Sequence, residues 1–477
     1  MLTKLKSASH ILLCGLFLLE ACAPTVPMLK KKANPLPSAF PTSESASTEG
    51  NSAEINWNEF FKDKQLDSLI ELALKNNQEL GILEQEISIA NNEIMARQGE
   101  YLPKFNAGVD GGIEKTERFS TEDANSKTKF GRAGIAMSWE VDIWKKLRNA
   151  TKSAYFSYLG SIEGKRYVTT NLIAEVANTY YELMALDNQL EIVKSYVKVL
   201  AQIRDMVDLQ QKAGRVTTLP VKRFDAEVLK NKARQVELEQ DLIITQNKMN
   251  LLLGRYPQDI SRDSKDFFNI TFSKISTSVP TKLLDNRPDI RRASYELEAA
   301  KLNVDVAKAR FYPSLSIDGS YGYEQFNSKH FDGTPTSIFY GLAASLTAPI
   351  LNRKAIKADY ISANNKQVQA VYEFEKTLVQ AYTEVVNQMN MIKNYDSVYN
   401  LKSSQVKALN ESIEISNVLF KAARVDYIES LMTQRDSLEA QVELVDIKRK
   451  QLTAYVSLYK ALGGGWKGTS ENYKSVY

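Results

Sequence analysis

Landmarks in the first half of the chain return in the second at an offset of about 205 to 210 residues, and a repeat of that period has to be read before any fold is assigned. Asn77-Gln78-Glu79-Leu80 leads through an amphipathic stretch to Tyr101-Leu102-Pro103-Lys104-Phe105. Arg287-Pro288-Asp289-Ile290 leads to Phe311-Tyr312-Pro313-Ser314-Leu315 at the same separation. Lys212-Ala213-Gly214-Arg215-Val216 is echoed by Lys421-Ala422-Ala423-Arg424-Val425, and Leu253-Gly254 by Leu462-Gly463. One supersecondary unit is therefore built twice.

Each half carries two segments of period two. After Pro103, Phe105, Ala107, Val109 and Ile113 alternate with Asn106, Gly108, Asp110, Gly112 and Glu114. After Pro313, Leu315, Ile317, Tyr321 and Tyr323 oppose Ser314, Ser316, Asp318, Ser320 and Glu324. Return strands follow, with Ala133, Ile135, Met137 and Trp139 on one face of the first and Tyr340, Leu342, Ala344 and Leu346 on one face of the second. Each is about ten residues long, the length a tilted strand needs to cross a hydrocarbon layer. The second face consists of Gly, Ser and acids, which suits a watery lumen. Four strands are too few to close a membrane barrel, and an open edge in lipid leaves backbone groups unpaired. Copies of the chain must share one barrel, eight-stranded in a dimer or twelve-stranded in a trimer.

The remainder is helical. Neither Gly nor Pro occurs from Leu351 to Leu462, and Leu183, Leu186, Leu190, Val193, Val197 and Leu200 follow the spacing of a coiled-coil seam. A helix from about Ile143 to Lys212 spans roughly 105 Å at 1.5 Å per residue, more than a globular core requires. Gly214 and Pro220 mark a turn, the repeat places its counterpart at Ala423-Arg424-Val425, and helices return over about 219–253 and 428–462.

Chemistry is restricted by what is missing. The only cysteines are Cys14 and Cys22 and the only histidines His10 and His330, too few for a thiol nucleophile, a His-based metal site or a Ser/His/Asp triad in the body of the chain. Lys and Arg number 61 against 57 Asp and Glu, interspersed, with a net charge of +4, so no nucleic-acid footprint appears. No catalytic or metal-binding set is assigned. Residues 1–21 read as an export signal, with Lys4 and Lys6 before the apolar run from Ile11 to Leu19. Residues 22–55 lack the apolar content to pack and read as a disordered tether.

Leu19-Glu20-Ala21-Cys22 resembles the bacterial lipobox, which implies cleavage before Cys22 and its acylation, a covalent lipid being the one attached group. Glu20 departs from the pattern, and Ala23 in place of Asp points to the outer membrane. Leu284-Asp285-Asn286-Arg287-Pro288-Asp289-Ile290-Arg291, Ala307-Lys308-Ala309-Arg310-Phe311-Tyr312-Pro313-Ser314-Leu315 and Leu458-Tyr459-Lys460-Ala461-Leu462-Gly463-Gly464-Gly465-Trp466 resemble the TolC family of outer-membrane efflux proteins, in particular its lipoprotein branch. The resemblance implies a mainly α fold with a membrane β-barrel: two repeats, each of helix, two strands and a long helical hairpin, assembled as a homotrimer with a twelve-stranded barrel and a periplasmic α-helical barrel. It implies a first repeat over 56–255 with strands near 103–116 and 130–141, an equatorial linker over 256–282, a second repeat over 283–466 with strands near 313–325 and 338–349, and a tail over 467–477. Helices near 63–98 and 283–311 are then expected to stack on those near 219–253 and 428–462.

The implied function is a gated conduit that passes small molecules from a periplasmic adaptor and an inner-membrane pump of the RND type to the exterior. Asp205, Asp208, Arg215, Arg424, Asp426 and Glu429 are the expected gate residues at the periplasmic aperture. Gly214, Arg215, Val216, Ala423, Arg424 and Val425 are the expected adaptor-contacting tips. Tyr101, Trp139, Trp144, Phe311 and Tyr312 fit an interfacial girdle. The rival readings are a periplasmic adaptor with a single hairpin and a structural coiled-coil lipoprotein without membrane-length strands.

Overall fold

The computed structural model describes residues 37, 40, 55–114, 128–272, 283–326, 337–349, 353–422, 424 and 426–466. The export signal, Cys22, His330, Ala423, Val425, the tail over 467–477, and most of the tether lie outside the described residues. Phe40 is an exception within the expected tether: it is buried and stacks on Tyr382 with ring centroids 5.3 Å apart, so the segment touches the folded body there.

The first repeat comprises α1 (Trp57–Phe61), α2 (Lys64–Asn76), α3 (Gln78–Tyr101), β1 (Lys104–Glu114), β2 (Thr128–Val141), α4 (Lys146–Lys212) and α5 (Thr218–Leu252). A 3₁₀ helix, Ser264–Asn269, follows. The second repeat comprises α6 (Leu283–Asn286), α7 (Pro288–Ala309), β3 (Ser314–Phe326), β4 (Ser337–Thr347), α8 (Arg353–Lys421) and α9 (Tyr427–Ala461). At 67 and 69 residues, α4 and α8 are each about 100 Å long.

The helices break where local chemistry competes with continuation. The single helix expected near 63–98 divides at Asn77, whose backbone is extended while its Oδ1 accepts from the N–H of Glu79 and Leu80 at 3.0 and 3.3 Å. In the second repeat the break falls at Arg287, and Pro288 supplies the first residue of α7, where its missing N–H is harmless. α4 begins at Lys146 rather than Ile143, because Lys145 has φ 59° and Asp142 caps the N–H groups of Leu147 and Arg148 at 3.1 and 3.0 Å. Burial raises the Asp142 carboxyl, but those two hydrogen bonds and the Arg148 guanidinium outweigh it and hold the group below its ordinary value.

Two compact units emerge. One, built on residues 85–162 and 292–375, contains the sheet. The other, built on the described parts of 34–84, 163–291 and 376–477, contains the hairpins and the main core. In that core Leu66 and Ile70 of α2 meet Tyr180, Tyr181, Leu183 and Met184 of α4, with Met249, Leu253 and Phe267 closing it.

Within this second unit the end of each hairpin meets the start of the helix that leads toward the strands. After α5, Gly254 has φ +65°; Asn77 Nδ2 donates to the Leu252 carbonyl at 3.0 Å and Gln78 Nε2 to that of Gly254 at 3.3 Å. After α9, Gly463 has φ +87°; Arg287 Nη1 donates to the Ala461 carbonyl at 3.0 Å and Trp466 Nε1 to that of Asn286 at 3.1 Å. These two splices are equivalent by the repeat, though Asn in one and Arg in the other reaches for the terminal carbonyls.

Candidate channel wall and hairpin tips

The sheet has the order β1-β2-β3-β4, antiparallel throughout. Its register sorts the two faces row by row. Ala107-Ile135-Tyr321-Tyr340, Val109-Ala133-Tyr323-Ile338 and Phe105-Met137-Gly319-Leu342 lie side by side on one face. Lys104-Ser138-Asp318-Ala343 and Asn106-Ala136-Ser320-Gly341 lie on the other. The apolar face is bare, with Val109 at 85 %, Tyr340 at 83 % and Leu342 at 79 % exposure. Such surface needs a nonaqueous partner. The second face is knitted by polar contacts: Ser316 Oγ lies 2.7 Å from Ser345 Oγ, and the Arg132 guanidinium pairs with Glu324. Among the described residues of the chain, β1 and β4 each lack a neighbour on their outer edge.

At the junction of strands and helices, Trp139 Nε1 donates to the Tyr101 carbonyl at 3.0 Å and Trp144 Nε1 to that of Pro313 at 2.7 Å. The Trp144 and Tyr312 rings stack at 4.7 Å. These four fit a girdle in which the indole N–H groups of Trp139 and Trp144 are fixed by backbone. Phe311 does not: it is buried against Val304, Ala307 and Tyr360, because a ring at the close of α7 packs on α8 before the chain enters the strand.

The hairpin turns repeat each other in backbone geometry. The N–H of Arg215 reaches the Gln210 carbonyl at 2.9 Å, with Gly214 at φ +70°, and the N–H of Arg424 reaches that of Leu419 at 2.9 Å. Val216, partly buried, joins Phe224, Phe420, Tyr427 and Leu431 in one apolar cluster, so the two tips hold together through a shared core. The charged candidates differ in what occupies them. Asp205 is paired with Arg204 at 2.8 Å and Asp208 with Lys212 at 2.7 Å. Asp426 accepts from the N–H of Tyr427 at 3.0 Å as the cap of α9. Among the described residues Arg215, Arg424 and Glu429 make no ion pair, and all three are exposed.

Periodicity and spacing do not announce a further cluster of charged and aromatic side chains, which clamps the C-terminal splice. Arg287, buried, holds Asp289 through two hydrogen bonds of 3.0 and 2.6 Å and Glu384 at 2.8 Å. Beside it the guanidinium groups of Arg166 and Arg291 lie 4.8 and 5.7 Å from the Trp466 ring centre, and both bond the buried Glu163 at 2.7 Å. Among the described residues no group of three or more His, Cys, Asp or Glu is arranged for a metal ion, and no helix is long and apolar enough to cross a membrane.

A sheet that presents lipid-compatible rows on one side and small polar rows on the other, carried by very long hairpins, defines a subunit of a membrane channel wall. The outer membrane efflux protein family model matches residues 69–255 and 279–464, one match per repeat, and the chain belongs to that family. It is similar to the pyoverdine export outer membrane protein OpmQ of Pseudomonas putida, 28 % identical over 97 % of this chain and 98 % of that one. It is also similar to the probable outer membrane lipoprotein SilC of Salmonella typhimurium, 25 % identical over 94 % and 97 %. The open-state structure of the Neisseria gonorrhoeae MtrE outer membrane channel shares the fold, with a TM-score of 0.79 at 22 % identity over 93 % of this chain and 98 % of that one. The protein is an outer-membrane channel component of an efflux system. The adaptor and coiled-coil readings are thereby set aside.

Proposed function

We propose that the chain works as a lipid-anchored homotrimer whose three sheets form one twelve-stranded barrel. The observation that carries the shared barrel is the pair of open edges, and three copies is the number the family resemblance implies. β1 and β4 run antiparallel to each other across the sheet, so β4 of one copy beside β1 of the next continues the alternation without a break, and closure removes every edge. The acylated Cys22 holds the assembly to the membrane, each buried CH₂ of its chains contributing about 0.8 kcal/mol. The hairpin tips meet a periplasmic adaptor, which links the channel to an inner-membrane pump of the RND type. Small molecules, drugs and toxic compounds among them, are the cargo class; the names of relatives give pyoverdine export, solvent efflux and cation efflux.

At the aperture, Arg424 and Glu429 are the gate residues. They sit at the tip of the second hairpin, exposed, while Asp205, Asp208 and Asp426 are engaged within their own turns. Asp205, Asp208, Asp426 and Arg215 contribute to the potential at the mouth, and rings of fixed charge there select and restrain what passes.

Membrane fractionation with acyl labelling, on wild type and Cys22→Ala, tests the anchored assembly. The wild type is expected to take up label, to require detergent for release and to run as a trimer by native mass spectrometry. A monomer released without detergent overturns the reading.

A further inference from the structure

Among the described side chains of the lumen-compatible face, two large apolar ones, Phe339 and Phe130, break the small polar pattern, and both lie at the loop end of the sheet. The Phe339 ring covers glycine: a Cβ added at Gly322 would stand 2.9 Å from its Cε1, and one at Gly134 3.2 Å from its Cζ. The Phe130 ring covers Gly112 in the same way, 2.8 Å from such a Cβ. Glycine on these strands lets each ring lie flat against the wall, and both rings are half-buried, with one side taken by backbone. Between these two aromatic rows runs the row Asp110-Arg132-Glu324, two carboxylates and one guanidinium. Arg132 pairs with Glu324 and lies 5.2 Å from the Phe130 ring centre. Asp110, exposed, makes no ion pair among the described residues. Successive rows of one face are about 7 Å apart, so an aromatic row, a net-negative row and a second aromatic row occupy about 14 Å of wall.

The geometry points to an aromatic and acidic collar near the outer mouth that binds organic cations carrying an aromatic or alkyl body. The free face of each ring offers its negative quadrupole to a cation, and the excess carboxylate in the intervening row adds attraction of the same sign. Shielding of the glycine backbone accounts for one side of each ring and predicts no preference for the charge of a solute. The collar predicts one. This inference rests on the channel reading, which assigns the polar face to the bore.

The test uses two probes of similar size and opposite charge, benzyltrimethylammonium and benzenesulfonate, titrated by saturation-transfer NMR against the purified full-length protein in neutral detergent, with KCl conductance of the same preparation measured in planar bilayers. The ammonium probe is expected to bind at least about threefold tighter than the sulfonate, as an exposed cation–π contact provides. Phe339→Leu, which keeps bulk over the glycines, is expected to lose that preference, and Phe339→Tyr to keep it. Normal KCl conductance with equal binding of both probes, or an unchanged preference in Phe339→Leu, overturns the collar alone. Absence of any KCl conductance removes the channel reading and the collar with it.

Discussion

The two splices depend on glycine in a way that can be ranked against a glycine that is merely a turn. Gly214, Gly254 and Gly463 all have positive φ, at 70°, 65° and 87°. An alanine placed there meets the left-handed penalty of about 1–2 kcal/mol in each case. At Gly214 nothing lies within 4 Å of the added Cβ, so that penalty is the whole cost. At Gly254 the Cβ falls on the Asn76 peptide, 2.8 Å from its carbonyl carbon. At Gly463 it stands 2.6 Å from the Asn286 oxygen and 2.7 Å from its carbon. Backbone cannot rotate aside as a side-chain tip can, so the junction must open. Opening adds about 1–3 kcal/mol of overpacking and weakens the hydrogen bonds from Asn77 and Gln78, or from Arg287 and Trp466, worth about 1 kcal/mol each and more for the guanidinium. The expected totals are about 1–2 kcal/mol for Gly214→Ala and about 3–5 for each splice variant. Thermal unfolding in detergent followed by circular dichroism, with limited proteolysis to locate the weakened segment, reads the order. A Gly214→Ala protein as damaged as Gly254→Ala or Gly463→Ala refutes the claim that close approach of backbone, rather than φ, is what these glycines serve.

Burial, with the Asp63 and Glu71 charges nearby, pushes the Asp67 carboxyl up from 3.8 to about 6. A carboxyl raised in the folded state takes up a proton that the unfolded chain does not, so stability should increase as pH falls from 7 through about 6 and level off near the unfolded value. Asp67→Asn should be more stable at pH 7 and lose that rise; an acid-insensitive wild type refutes the assignment. Ile135→Lys places a charge in the middle of the apolar face and should cost about 2–4 kcal/mol and reduce assembly, whereas Ala136→Lys on the opposite face should assemble normally; equal yields of folded trimer from both refute the assignment of faces. Glu429→Ala and Arg424→Ala are each expected to raise single-channel conductance in planar bilayers, and unchanged conductance in both removes them from the gate.

The strands and hairpins could be read from the chain because their signals are local. Period two along Phe105 to Ile113 and the absence of Gly and Pro from Leu351 to Leu462 each operate within one element. The second turn carries alanine where the first has Gly214, and only the repeat located it; the bond from the Arg424 N–H to the Leu419 carbonyl copies the first turn. What the sequence concealed is what is distant along it. Arg287 is separated from Glu384 by 97 residues and from Ala461 by 174, and nothing around Arg-Pro-Asp announces either partner. The Asp142 cap is illegible for the opposite reason: it depends on Lys145 turning left-handed, which no periodicity reports for a lysine.

Phe339 sits at the limit of legibility. Alternation along β4 assigns it to the polar face beside Gly341 and Ala343, where a phenylalanine reads as an error in the pattern. The error disappears once Gly134 and Gly322 are seen under the ring, but those glycines belong to two other strands and look, in sequence, like ordinary small lumen residues. A substitution at any one of the three alters the environment of the other two, since the ring lies flat only while both glycines lack a Cβ. Gly322→Ala should therefore tilt Phe339 away from the wall, and it should also strain the β2–β3 pairing, since the added Cβ stands 2.6 Å from the Gly134 Cα. A one-letter pattern of polar and apolar positions cannot carry that dependence, because it is a property of three strands in register.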